Sequence, residues 1–391
     1  MIKGIVATLL LGSAMVAYAQ NSVTLYARLD TGLQYQTGLA KGNAFSVENA
    51  GWGVSWFGLK GVEDLGGGTK SIFDLQAGIN PDNGTTTNGS FFGRSAIVGL
   101  ENERWGTLDI GNIGAAEISG DAFFVDPQNF NAFANSTLIR GRNYAQAGNG
   151  MQYTSPMIDG LTVKGQYDLT NSTTFNSGNP GSGPGQLGGA QGRTDGIEVK
   201  YNSGNVQLQA LYDEIRDPNG QFSNVYVASR AILAGGTWLI GPAKFFLAYE
   251  HLSAPNASNS GVFGTATPTA LPAGVSLPTA VDTEWAGVNW QINSVVGLNA
   301  AIYHANANNG NGNATLYTLV GTYNLSKRTF FYSELGYVSN SSTSNIGLGN
   351  GFSDPYGANV NNDPVNGSPG NTNPNYGHGQ ASMLVGIMTQ F

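Results

Sequence analysis

Residues 22–35 read Ser22-Val23-Thr24-Leu25-Tyr26-Ala27-Arg28-Leu29-Asp30-Thr31-Gly32-Leu33-Gln34-Tyr35. Side chains alternate sides along an extended chain, so Val23, Leu25, Ala27, Leu29, Thr31, Leu33 and Tyr35 share one face. Thr24, Tyr26, Arg28, Asp30, Gly32 and Gln34 share the other. The same split recurs at Leu161/Val163/Gly165/Tyr167 against Thr162/Lys164/Gln166/Asp168, and at Val206/Leu208/Ala210/Tyr212 against Gln207/Gln209/Leu211/Asp213. The chain ends on another such face: Met383, Val385, Ile387, Thr389 and Phe391.

Segments of this kind fall near 22–36, 50–62, 68–79, 90–101, 105–112, 150–156, 160–169, 193–201, 205–214, 228–240, 242–252, 281–292, 295–306, 312–324, 328–339 and 380–391, sixteen in all. Tight turns such as Asp64-Leu65-Gly66-Gly67-Gly68, Asn202-Ser203-Gly204-Asn205 and Gly241-Pro242 alternate with long polar loops near 37–49, 80–89, 113–149, 170–192, 215–224, 253–280, 307–311 and 340–379. Short turns on one rim and long loops on the other belong to a transmembrane barrel. In hydrocarbon every unpaired backbone N–H or C=O costs several kcal/mol, and only an edgeless sheet pairs them all. The fold class is therefore all-β: a 16-stranded antiparallel transmembrane β-barrel, wide enough for a water-filled lumen. A secreted sandwich or propeller also alternates, but its turns show no preference for one rim. Aromatic residues, among them Trp105, Tyr323 and the terminal Phe391, gather toward strand ends, where a girdle would meet the membrane interface.

Composition narrows the function. Only 11% of residues are charged, 57 are glycine, none is cysteine, and the formal charge is −8. Few strong helix formers are present, thiolate metal sites and disulfides are excluded, and there is no basic run to bind nucleic acid. The three histidines, His251, His304 and His378, lie at strand ends or in a long loop, without metal spacing or a nucleophile–base pair. The glycine clusters at 66–68 and 178–189 lack a following helix and a phosphate-loop lysine, so they are turn and loop. No catalytic residue, metal or cofactor is expected.

Lys3, the apolar run Ile5 to Val16, and Ala17-Tyr18-Ala19 have the form of an export signal cleaved before Gln20. The run is too short for a spanning helix, which needs about 20 apolar residues. The expected domains are a signal peptide at 1–19 and one barrel at 20–391.

Ser22-Val23-Thr24-Leu25-Tyr26, Phe57-Gly58-Leu59-Lys60-Gly61-Val62-Glu63-Asp64 and Phe92-Gly93-Arg94, in that order, resemble strings of a known family, the β-proteobacterial general-diffusion porins of Gram-negative outer membranes. Ser22-Val23-Thr24-Leu25-Tyr26 with Leu29-Asp30-Thr31-Gly32 resembles its first strand, and Phe57-Gly58-Leu59-Lys60-Gly61-Val62-Glu63-Asp64-Leu65-Gly66-Gly67-Gly68 its second strand and first turn. Phe92-Gly93-Arg94 with Val98-Gly99-Leu100, Tyr153-Thr154-Ser155-Pro156 with Gly160, Tyr323-Asn324-Leu325-Ser326-Lys327-Arg328-Thr329 and Phe391 complete the series over nearly the whole chain. Departures fall at charge positions: Trp56 stands where the family usually has arginine, and Gly111-Asn112-Ile113 and Asn149-Gly150 differ from its usual Gly-Arg-Gln and Asn-Ser. The resemblance implies a homotrimer in outer-membrane lipid and lipopolysaccharide, passing small hydrophilic solutes. It also implies a third loop, 113–149, folded into the lumen as a constriction.

Alternation carried around the barrel points Arg28, Lys60, Lys70 and Arg94 inward on one wall, since a base on the lipid face at the midplane costs roughly 2–4 kcal/mol. By the resemblance, Glu117, Asp121 and Asp126 of the third loop face them across water. Such a transverse field selects by size and polarity. Inward acids at 30, 74, 109, 168, 198, 213, 250 and 334 outnumber the inward bases, an arithmetic that favours weak cation preference or neutrality. Two rival functions remain. One is a substrate-specific channel of the same fold, with Tyr26, Trp56, Phe246 and Tyr303 in an aromatic track. The other is an adhesin or phage receptor that works through its loops.

Overall fold

A computed structural model describes residues 22–39, 42–87, 90–114, 118–129, 131–144, 148–169, 193–216, 220–222, 224–255, 273–276, 278–348 and 373–391. Residues 1–21, with the expected signal peptide, and Glu117 lie outside the described residues. The strand segments in chain order are β1 (Ser22–Leu39), β2 (Gly42–Asn49), β3 (Trp56–Gly66), β4 (Thr69–Gly78), β5 (Ser95–Asn102), β6 (Gly106–Asn112), β7 (Gly150–Thr154), β8 (Leu161–Asp168) and β9 (Arg193–Asn202). There follow β10 (Val206–Arg216), β11 (Arg230–Ile240), β12 (Ala243–Ser253), β13 (Ala280–Gln291), β14 (Val296–Ala307), β15 (Ala314–Asn324), β16 (Thr329–Asn340) and β17 (Gln380–Gln390).

From β3 to β17 each strand pairs antiparallel with the next, and β17 returns to β1 in a ladder from Arg28↔Gln390 to Gln36↔Ser382. The sheet closes into a barrel. β2 pairs with the upper half of β1 and β3 with its lower half, so the two are segments of one stave and the barrel has sixteen.

That stave corrects the sequence reading, which placed a loop at 37–49 and a strand from 50. The chain stays in the ladder through Asn49, then breaks at 50–55, where Ala50 takes φ 62°. The break is held by Asp30: its carboxylate accepts from Trp52 N (2.8 Å) and Gly53 N (2.9 Å), and its own N–H donates to Ser55 Oγ (2.8 Å). A buried carboxylate saturated by backbone N–H groups is a strong local clamp.

Outward faces carry an apolar band, including Ile232, Leu247, Ile302 and Leu319, with exposed aromatics at both rims. Tyr317 opposes Tyr337 near the long-loop rim, and Tyr323 opposes Phe331 near the short-turn rim. Trp105 and Phe391 are exposed at that second rim, and Phe391 N donates to Ala27 O (3.0 Å). No helix among the described residues is long and apolar enough to cross a membrane.

The third loop enters the lumen and packs on the inward faces of β10–β16. A 3-10 segment (Ser119–Val125), a short helix (Asn135–Leu138) and a 3-10 turn (Arg142–Tyr144) bury Phe133, Leu138 and Ile139 against Leu233, Trp285, Tyr303 and Leu316. Glycines in the wall make room. A Cβ on Gly287 would stand 2.5 Å from Pro127 Cγ, and one on Gly336 would stand 2.8 Å from the Phe133 ring.

Candidate pore and constriction

Polar ties fix the loop to that wall along its length. Trp285 Nε1 donates to Val125 O (2.9 Å), Gln128 Nε2 to Thr318 Oγ1 (2.8 Å) and Asn135 Nδ2 to Glu250 Oε2 (2.7 Å). Arg142 is fully buried and bridges to Asp213 at 2.5 Å, while its guanidinium also donates to Ser229 O (2.8 Å).

Asp126 belongs to this set, which corrects the expectation that it faces the pore. It is buried, and Tyr303 Oη (2.6 Å), Asn135 N (2.9 Å) and Gln128 N (2.8 Å) all donate to it. Desolvation pushes its pKa up to about 6, against the pull of those donors. Tyr303, a candidate for an aromatic track, is likewise sealed beneath the loop.

Asp121 lies on the loop's other flank, bound by Lys164 of β8 and by Lys200 of β9 (3.0 Å). The loop's one acid on this flank among the described residues is thus neutralised by its own side of the barrel. Phe124 takes the prominent position instead: it is 57% exposed, with Lys200 Nζ 4.1 Å from its ring centroid. Sequence reading passed over Phe124 because a lone aromatic in a polar loop carries no periodic signal.

The inner wall away from the loop's core runs through β1 and β3–β7; the start of the loop reaches β8 and β9, where Ile118 N donates to Gln166 Oε1 (2.8 Å) and Asp121 meets Lys164 and Lys200. Arg28 pairs in register with Trp56, and Arg94 N donates to Gln76 O (3.2 Å) on the neighbouring strand, which brings both arginines to one level. Lys60 lies four residues further down β3, opposite Asp74, with its Nζ 4.9 Å from the Tyr26 ring. Lys70 lies lower still, near the short-turn rim, in a half-exposed pair with Glu101 (3.3 Å). The four expected bases therefore share a wall but descend it as a staircase, because the register sets them at different heights.

Burial separates the inward acids more sharply. Of the eight counted from alternation, Asp30, Asp109, Asp168, Glu198, Asp213, Glu250 and Glu334 are buried, and only Asp74 is not. Among the described residues no group of three His, Cys, Asp or Glu side chains could hold a metal ion.

The family model for Gram-negative porins matches residues 6–343. The chain belongs to that family. An outer membrane porin protein of Bordetella pertussis is 29% identical over 373 residues, covering 85% of this chain and 93% of the relative. Outer membrane porin protein 32 of Delftia acidovorans is 25% identical over 362 residues, covering 88% and 92%. Among solved structures, an anion-selective porin from Comamonas acidovorans has the same fold, with TM-score 0.71 at 21% identity, covering 95% of this chain and 100% of that one.

The porin is accordingly an outer-membrane channel for passive diffusion, and its apolar exterior and hydrated, charged interior have that cause. Its third loop lies against the inward faces of β10–β16 and touches β8 and β9.

Proposed function

We propose that this porin passes ions and small hydrophilic solutes with a mild preference for anions, along a path between the third loop and the wall bearing Arg28, Lys60 and Arg94. One observation carries the reading: seven of the eight inward acids are buried, whereas Lys60 is exposed and Arg28 and Arg94 are only half-buried. Counting charges by alternation alone overstates the acids, because it cannot distinguish a lumen-facing side chain from one roofed by a loop. A charge screened behind protein and already hydrogen-bonded contributes less to the field that a permeating ion meets.

Reversal potentials across a KCl gradient test this directly. A potential displaced toward the chloride equilibrium value supports it, and one displaced toward potassium contradicts it. Lys70, paired at the mouth, contributes little to this field, whereas Arg28, Lys60 and Arg94 set it.

The same reading includes a homotrimer embedded in outer-membrane lipid and lipopolysaccharide, with Trp105, Tyr323 and Phe391 at the inner interface. Residues 1–19 act as the export signal. Unboiled detergent gels report the oligomer. A substrate-specific channel is the second reading, favoured by the aromatic residues set among the bases of the open wall.

A further inference from the structure

We propose that the open wall holds a stacking site for flat aromatic carboxylates, built on Tyr26, Trp56, Arg28 and Arg94. This rests on the reading of that wall as the solute path. Two glycines shape it. A Cβ on Gly58 would stand 2.8 Å from Tyr26 Cε1, so the Tyr26 ring lies down over the backbone of β3 instead of standing into the lumen. A Cβ on Gly53 would stand 3.0 Å from the guanidinium carbon of Arg28, which lies down in the same way.

Trp56 sits between the two. Its ring meets Tyr26 edge-on, with centroids 4.9 Å apart at 69°, and Arg28 stands 5.9 Å from its centroid. The Tyr26 hydroxyl donates to Asp74 and accepts from Gln76 Nε2 (2.9 Å), which fixes the ring. Arg28 Nε donates to Val54 O (2.9 Å), which fixes the guanidinium. Arg94 reaches the same corner, its Cδ 3.3 Å from where a Gly78 Cβ would stand, and its Nε is buried without a hydrogen-bond partner.

Planar π faces and planar guanidinium groups thus lie side by side, with Tyr26 and Arg28 held by hydrogen bonds at their edges. An aromatic carboxylate matches both parts: its ring stacks on Trp56, and its two oxygens accept from a guanidinium fork. A saturated ring acid of equal charge and similar size gains the charge contact alone. The site therefore discriminates by the π face and not by net charge.

The test is block of single-channel KCl current at neutral pH by benzoate and by cyclohexanecarboxylate, using the full-length porin in a planar bilayer. Benzoate is expected to reach half-block at a concentration lower by about threefold or more, the worth of one aromatic pair. Trp56→Leu should bring the two concentrations together. Arg94→Gln should raise both and leave their ratio in place. Equal concentrations in the unmodified porin, no block by either acid, or a ratio that survives Trp56→Leu would overturn the site. A protein that gives no KCl channel would overturn the pore reading as well, so the two failures are distinct.

Discussion

The two halves of the barrel wall obey one alternation rule and meet opposite fates. On β1 and β3–β7 the inward bases and aromatics Arg28, Lys60, Trp56 and Arg94 remain partly or fully exposed, although Asp30 and Asp109 on the same wall are buried. On β10–β16 the inward side chains meet the third loop and form a core, with Leu233, Tyr303, Leu316 and Glu334 at 0% exposure. Inward position in a barrel is thus not the same as contact with the lumen. What decides it is whether a loop finds enough polar partners and glycine slots to lie down on that stretch of wall.

The largest expected effect comes from breaking the loop's buried ion pair. Arg142→Met leaves Asp213 charged and unpaired, a cost of about 3–5 kcal/mol for a pair so fully buried. The porin should melt lower, and conductance should become larger and noisier as the loop loosens. Next is Gly287→Val, which sets a branched side chain against Pro127 and costs about 1–3 kcal/mol of overpacking. Conductance again reports the displaced loop, and an unchanged channel would mean that the slot is not needed.

Trp285→Phe keeps the packing but removes the donor to Val125 O, for about 1 kcal/mol. Thermal unfolding in detergent resolves a loss of that size.

Asp126 makes the comparison depend on pH. Its folded pKa of about 6 lies above the ordinary carboxylate value, so its contribution is full below about pH 4 and is lost as pH rises through about 6. The loop should therefore be held more firmly in mild acid, with smaller and steadier conductance. Asp126→Asn should flatten that dependence while keeping an acceptor for Tyr303. The smallest effect is expected for Lys70→Gln, since an exposed pair such as Lys70–Glu101 is worth about 0–1 kcal/mol and stands at the mouth. Reversal potential should barely move.

Much of the open half was legible from residues alone. The period of two at Ser22–Tyr35 and the tight turns gave the barrel, and closure followed because lipid cannot satisfy a free sheet edge. Local pattern also put Arg28, Lys60, Lys70 and Arg94 on one wall. It could not give their heights, which depend on register between strands. The covered half was not legible, because its partners are far apart in sequence: Asp126 meets Tyr303, and Arg142 meets Asp213. The break at 50–55 was misplaced for a related reason, since the Asp30 carboxylate that holds it lies on the preceding strand.

The most direct test uses the absence of native cysteine. Single replacements Tyr26→Cys and Lys60→Cys on the open wall, and Leu233→Cys and Leu316→Cys on the covered one, can be exposed to a charged, water-soluble thiol reagent during current recording. A path along the open wall predicts that the first two react and step the current, while the second two stay silent. Equal reaction and equal current change at positions 233 and 316 would contradict it.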